Sequence, residues 1–532
     1  MGIPSYFSFI VKNHANIIKK LTNNTIPINN LYLDCNSIIY DAVHNTDFSK
    51  LTDSDVNTII RSVCNKIDEY IFQLKPNNII YIAFDGVAPV AKLEQQRQRR
   101  YKSLYQNNIS KSIFKDSKPD PWNTTVITPG TLFMNKLNEK IRKTYNDTTK
   151  YNVNSIILSP SDKYGEGEHK LFEFIRQQPE LHKDQNTIIY GLDADLIMLS
   201  INHLPISKNI YLFRETPHFI KSINSELEPD ASYIIDIPEL AKIITLDMNN
   251  GQELTTEQQK NRIYDYIFLC FFLGNDFMPH FPSVNIRTGG IDKMINAYKS
   301  TIGSTNENLT DGKKIYWKNV RKLVQVLADF EEDNMKMETK IRDRKEKQPM
   351  PDITPEDKIK KFDSIPTYER AIEKFINPYK TNWQYRYYKS LFNIEIDETR
   401  KKQICTNYLE GLEWTMKYYT TGCADWRWCY NYNYPPLFSD LIHYVPFFDT
   451  EFIENKKPAP VSELVQLCYV LPKQSLQFLP EKLYGNLMKK QSDWYKSDCK
   501  FVWSYCRYFW ECHVQLPDID IDELEAFVRD NK

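Results

Sequence analysis

The chain has 532 residues with 68 basic against 69 acidic side chains, a formal net charge of −1, so it is not a general polyanion binder and any nucleic-acid contact must come from a local patch. A hydrophobic share of 41% and a charged share of 26% describe an ordinary soluble globular protein, large enough at 63.0 kDa for two to four packed units. The longest apolar run, at 267–274, is far too short to span a bilayer, and no membrane partner is expected.

The first twenty residues lack the basic, apolar, then small order of a signal peptide, and Tyr6 occupies the position where a myristoylation pattern needs Ser or Thr. The ten cysteines include no C-x-x-C pair. Neither Cys423…Cys429 nor Cys506…Cys512 has zinc-finger spacing with nearby histidines, so reduced, mostly buried thiols are expected. The expectation is an intracellular protein, cytoplasmic in preference, with a nuclear location left open.

Short apolar runs rich in Ile, Tyr, Leu and Val predict strands at 31–34, 79–84, 155–159, 186–191, 209–213 and 233–237. Helices are predicted between them, as at 54–74, 131–145, 166–177 and 260–273. Strands alternating with helices predict an α/β domain over 1–300, a mostly parallel twisted sheet flanked by helices, with ligands at the carboxyl ends of its strands. Residues 330–362 are densely charged, with three prolines near the end. They read as a solvated helix followed by a linker, within a charged helical linker over 301–379. From about 380 the composition turns aromatic-rich and mostly helical, and a second region over 380–532 is expected to pack on the first.

Seven acids sit where short apolar runs give way to small or polar residues. Asp34 and Asp85 come at or just past predicted strand ends, Asp193 and Asp195 follow another, Glu166 and Glu168 open the helix GEGEHKLFEFI, and Asp276 follows an apolar helix in FLGNDFMPH. Singly, each has an ordinary reading: a helix N-cap for Asp193, first-turn acids favoured by the helix dipole for Glu166 and Glu168, turn residues for Asp85 and Asp276. Glycines on both sides of Glu166 weaken the dipole reading, since they cost helix stability while admitting close approach. Together the seven are a stronger signal. Carboxylates beside buried strand ends are costly and repel one another, so they keep protons or share multivalent cations. The set predicts a pair of divalent metals, roughly 3.5–4 Å apart, and chemistry on phosphate.

A basic run follows at 91–102. Lys92, Gln96, Arg99 and Arg100 fall at i, i+4, i+7 and i+8, one stripe of a helix that starts beside Asp85. A solvated basic helix is the ordinary reading. The stripe also suits a terminal phosphate, whose oxygens take several charge-assisted hydrogen bonds from Arg and Lys. Aromatics make 13% of the chain and mostly build cores. Tyr40, and Trp426 and Trp428 in a Tyr-rich loop, are candidates for base stacking, worth about 1–3 kcal/mol per base. His169 and His280 are expected to hydrogen-bond near the site, because hard cations prefer oxygen.

These segments closely resemble the Xrn family of 5′→3′ exoribonucleases: MGIPSYF, LYLDCNSIIYDAVH, YIAFDGVAPVAKLEQQRQRRYKS, ITPGTLFM, GEGEHK, GLDADLIML and FLGNDFMPHFPS in order, then NYLEGLEWTMKYYTTG and WRWCYNYNYPPLFSDL. The resemblance implies a PIN- or flap-nuclease-like sheet followed by a helical conserved region. It implies that Asp34, Asp85, Glu166, Glu168, Asp193, Asp195 and Asp276 bind two Mg²⁺, with Mn²⁺ as a substitute, and that Lys92, Gln96, Arg99 and Arg100 hold a 5′ monophosphate. Single-stranded RNA with that end is the implied substrate, degraded to nucleoside monophosphates. Tyr40 stands where the family has a stacking histidine, Tyr164 replaces the proline before GEGEH, and the extra C-terminal domains of the large members are not expected. A flap-endonuclease-type nuclease acting on DNA and a catalytically silent RNA-binding protein stay open as alternatives.

Overall fold

In the computed structural model, residues 3, 5–21, 27–46, 55–115, 122–453, 459–496 and 499–531 are described. Residue 54 of the first predicted helix, residues 1, 2 and 4 of the MGIPSYF match and residue 532 lie outside them. Seven strands form one sheet in the order β1 (Ile18–Lys20), β7 (Ser232–Asp236), β6 (Asn209–Glu215), β5 (Asn186–Tyr190), β2 (Asn30–Asp34), β3 (Ile79–Ala83), β4 (Ser155–Ser159). The five strands from β6 to β4 are parallel; β7 runs antiparallel to both β6 and β1. Every predicted strand is present within two residues of its expected bounds. The edge strand β1 and a small antiparallel pair, β8 (Lys500–Val502) with β9 (His513–Gln515), are additions to the predicted set.

Successive strand side chains point to opposite faces. Leu31, Leu33, Ile80 and Ile82 enter one core, while Tyr32, Ile79, Tyr81 and Ile189 enter the other. Both faces are covered, which is why the central strands are continuous apolar runs rather than alternating ones. Among the helices that flank the sheet and the crevice at its edge are α1 (Tyr6–Asn13), α2 (Asn36–His44), α3 (Asp55–Leu74), α4 (Val90–Phe114), α5 (Leu132–Thr144) and α6 (Gly167–Gln177). The apolar faces of α2, α3 and α5 pack on the first face of the sheet, and α1 and α6 on the second. Helix α4 is long because VAKLEQQRQRRYKSLYQ holds good helix formers; it ends at Lys115 in the left-handed conformation.

The second-face core continues into the C-terminal half. Cys405, Tyr408, Leu412, Trp414 and Tyr418 of the helix Glu398–Thr420 join Leu269, Phe272 and Phe277 in it. A separate core packs Val87, Ala88 and Leu93, around the start of α4, against Val465, Leu471 and Leu524. Among the described residues no helix is long and apolar enough to cross a membrane.

The charge-dense segment departs from its reading as solvated. The helix Glu331–Glu346 buries Glu331, Met335, Glu338 and Arg342. Glu331 accepts the backbone N–H of Phe438 at 2.7 Å and of Ser439 at 2.9 Å. Arg342 makes a two-pronged contact with Glu373, Nε to Oε2 at 2.8 Å and Nη2 to Oε1 at 2.6 Å, and donates to Cys506 O at 2.9 Å. Arg370 Nε shares the same carboxylate at 2.6 Å. These partners lie 31 to 164 residues from Arg342 or Glu331, so a local charge pattern cannot reveal them.

Removing one member of a buried ion cluster leaves uncompensated charge. Glu373→Ala takes from Arg342, whose side chain is 5% exposed, its paired carboxylate, and leaves Arg370 only Asp343 and Glu346. It is expected to cost about 3–5 kcal/mol, read as a lowered denaturant midpoint; a wild-type midpoint would show the cluster to be dispensable.

Candidate active site

The parallel strands deliver the acids to one edge. Asp34 is the last residue of β2, Asp85 lies two residues past β3, and Asp193 and Asp195 lie just past β5, with Asp195 opening the helix Asp195–His203. Glu166 is the N-cap of α6 and Glu168 its second residue. Asp276 is in the loop after the helix Thr256–Phe271. Asp34, Glu166, Glu168 and Asp195 are buried, and Asp193 is exposed at the mouth.

All seven interact. One oxygen each from Asp34, Asp85 and Glu168 lie within 4.8 Å of one another, as do ligand atoms of Glu166, Glu168 and His169. Asp34 feels the charges of Asp85, Asp193 and Asp195, and Asp195 those of Asp276 and Asp193. The backbone sets several of these positions. Asp85 accepts the Gly167 N–H at 2.7 Å, is bonded by the Asn36 amide, and donates its own N–H to Asn36 Oδ1 at 3.1 Å. A side chain at Gly167 would run into Asp34 Oδ1, and Gly165 has φ 95°, so both glycines of the loop are required for the acids to approach.

Burial and mutual repulsion push the carboxyls of Asp34 and Glu168 well above the usual carboxylate range. Burial, with Asp276 and Asp193 nearby, brings Asp195 up to about 6. Lys92 meets two of the acids directly. Lys92 Nζ contacts Glu166 Oε2 and donates to Asp276 Oδ2 at 2.7 Å, with both partners almost fully enclosed. Burial opposes ionisation of Lys92 and of Asp276, and their attraction more than offsets it: the lysine is held well above its ordinary value and the aspartate below.

The residues present suit divalent cations. Asp34 Oδ1 and Asp195 Oδ1 are buried oxygens that accept no hydrogen bond, which is costly unless a cation or proton satisfies them. The donor set is all oxygen apart from His169, the chemistry of a hard cation.

The basic stripe continues along α4. Gln96 is buried beyond Lys92, and Arg99 acts electrostatically on Asp193 and Asp276. Arg100 is held by Thr128, Nη2 to Oγ1 at 2.7 Å; burial lowers it to about 10, so it stays charged at neutral pH. Tyr40, on α2, lies near Arg100 and packs one side on the first-face core. The backbone carbonyl of Trp426 accepts the Val90 N–H at 2.9 Å, which pins that loop to the start of α4. Trp428 points into the core instead, stacked on Trp414. Tyr164 is 58% exposed, so a tyrosine in place of proline displaces no packing. His280, lowered by burial to about 4, lines one cavity together with Asp276, but its buried Nε2 makes no hydrogen bond.

Two residues at the site escape sequence reasoning. Lys170 Nζ donates to Phe84 O at 2.7 Å and Pro160 O at 3.1 Å, tying the ends of β3 and β4 beneath the acids. Tyr418 donates its hydroxyl to Glu166 Oε1 at 2.8 Å from the second region. Lys170 shares the GEGEHK motif, which is a usable signal; nothing marks Tyr418 among 34 tyrosines.

The family model described as XRN 5′-3′ exonuclease N-terminus matches residues 1–216, and that of the Xrn1 helical domain matches 257–365 and 355–530. The chain is 26% identical to 5′-3′ exoribonuclease 2 of Gallus gallus, covering 99% of this chain and 69% of that protein. It is 27% identical to 5′-3′ exoribonuclease 1 of Saccharomyces cerevisiae, covering 99% of this chain and 43% of that one. The solved catalytic core of Rad2 in complex with DNA substrate is a remote likeness, with 12% identity and a TM-score of 0.31 over 69% of this chain and 84% of that one, too weak to bear on fold or chemistry.

Lys92→Met leaves Glu166 and Asp276 facing each other with no cation between them. The expected cost without divalent metal is about 3–5 kcal/mol, and added Mg²⁺ or Mn²⁺ should raise the thermal midpoint of the variant more than that of the wild type. An unchanged midpoint without metal would remove Lys92 from this electrostatic role.

Proposed function

Because the chain belongs to the Xrn 5′-3′ exonuclease family, we propose that it degrades single-stranded RNA bearing a 5′ monophosphate, one nucleotide at a time, using divalent metal. It is a 5′→3′ exoribonuclease by that membership; the end specificity and the two-metal hydrolysis are the reading offered here. The observation that carries it is the crevice itself. Seven acids gather beside Lys92, which pairs with Glu166 and Asp276 at the start of the helix whose same stripe bears Gln96, Arg99 and Arg100.

On this reading Asp34, Asp85, Glu166, Glu168, Asp193, Asp195 and Asp276 hold two cations, some through water. When bound, Mg²⁺, or Mn²⁺ in its place, supplies an activated water and neutralises charge on the leaving 3′ oxygen. Lys92, Arg99 and Arg100 bind the terminal phosphate by charge, and Gln96 donates an amide N–H to it. Arg100 reaches that phosphate already anchored on Thr128, so little side-chain freedom is lost on binding. Tyr40 and Trp426 offer ring faces to the first bases. A triphosphate or capped end is a poor match for a pocket whose inner members, Lys92 and Gln96, are buried.

The test is degradation of matched RNAs with 5′-phosphate, 5′-hydroxyl and 5′-triphosphate ends, with and without Mg²⁺, beside DNA of the same sequence. Rapid Mg²⁺-dependent release of mononucleotides from the 5′-phosphate RNA alone is expected. Equal rates on the three ends would eliminate the phosphate pocket, and preference for DNA would favour a flap-type nuclease. Asp195→Asn should lower turnover by about 100-fold or more with the fold intact; full activity would refute the cation assignment.

A further inference from the structure

Glu166 is gripped from two sides. Its Oε2 meets Lys92, and its Oε1 accepts the Tyr418 hydroxyl at 2.8 Å. The Tyr418 ring lies in a stacked column. The His169 ring is 3.8 Å from it at 23°, Trp414 is 4.9 Å away at 27°, and Trp428 continues the stack 5.1 Å from Trp414 at 25°. Trp414 Nε1 donates to Asp425 O at 2.7 Å, which fixes the loop that carries Trp426. Phe277, next to Asp276, sets its edge against Trp414 at 5.0 Å and Tyr418 at 5.5 Å. The rings therefore bracket both carboxylates that share Lys92.

From this geometry we propose that Tyr418 is a positioning residue for the cation-binding acids: its hydroxyl orients Glu166, and its ring column makes cation affinity depend on the loop 425–428 of the second region. A buried phenol needs an acceptor, and any carbonyl would satisfy it. Here it takes one oxygen of Glu166 while the other oxygen meets Lys92, so it selects a single orientation of that carboxylate. Groups that orient a ligand in this way commonly carry a large share of metal affinity. The column gives the coupling a continuous physical path from loop 425–428 to Glu166. This inference rests on the cation reading of the site.

The experiment is direct Mn²⁺ binding to the full chain without RNA, by calorimetry or electron paramagnetic resonance. Tyr418→Phe keeps the ring and removes only the hydroxyl. It should weaken Mn²⁺ binding about tenfold, with the cation-free thermal midpoint shifted by only a few degrees, and RNA turnover should recover at raised Mn²⁺. Trp428→Phe, at the far end of the column, should weaken binding about threefold and carries the test if Tyr418→Phe fails to fold. Asp195→Asn serves as the control. If it too leaves Mn²⁺ binding unchanged, the cation reading has failed; if it weakens binding while Tyr418→Phe binds as wild type does, the role of Tyr418 is overturned, and if only Trp428→Phe binds as wild type does, the dependence on loop 425–428 is overturned.

Discussion

Like charges forced together at the end of a parallel sheet set the terms for the rest of this molecule. Strands β2, β3 and β5 are adjacent and parallel, so residues at their carboxyl ends are brought within a few ångströms whatever their separation along the chain. Asp34, Asp85, Asp193 and Asp195 therefore share one edge, and the glycine-flanked start of α6 adds Glu166 and Glu168. Such a cluster stands only if its charge is met. One part of the answer is Lys92, which contacts Asp276 from 184 residues away and Glu166 from the opposite wall. The other lies in Asp34 and Glu168 themselves, whose carboxyls burial and their neighbours push well above the usual carboxylate range. Carboxyls shifted in that direction favour a proton or, on the proposed reading, a cation in its place.

The second region takes part in this balance. The helix Glu398–Thr420 is buried along most of its length in the core that serves one face of the sheet. Its aromatic residues close the crevice from above and exclude water from Glu166 and Asp276, which strengthens every electrostatic contact between them. Ring pairs of this kind add about 0.5–1.5 kcal/mol each beyond area burial. The buried cluster of Arg342, Arg370 and Glu373 does similar work further out, fastening the segment 331–373 to the chain near Cys506.

Much of this is legible in the sequence, for identifiable reasons. The central strands announce themselves because both faces of the sheet are covered, leaving runs such as Ile79–Ala83 entirely apolar. The acids announce themselves because a carboxylate at the end of such a run is costly unless a cation or a proton meets its charge. The edge strand β1 is not legible: it has three residues, IKK, two of them exposed, and pairs with β7 from the far end of the domain. The helix Glu331–Glu346 reads as solvated because its buried charges are neutralised by residues distant in sequence. Lys92 is legible as part of a basic stripe, but its place between Glu166 and Asp276 depends on contacts that no local pattern contains. Tyr418 lies 252 residues from its acceptor in a chain where aromatics are common, and only the folded arrangement singles it out.

Helix α4 carries the basic stripe away from the acids. Lys92 is fixed at the acids, while Arg100, eight residues on, is fixed to Thr128 on a different part of the wall. A helix rises about 1.5 Å per residue, so the two anchors stand roughly 12 Å apart along a rigid axis, with Gln96 and Arg99 between them. On the proposed reading that axis is a ruler. Its position is fixed because α4 is packed through Leu93 against the core of the C-terminal segment. The acids then meet the RNA chain at a set distance from its end. On that same reading, a metal site without the ruler could cut anywhere the backbone reached it, and the helix makes the seven carboxylates count from the 5′ terminus.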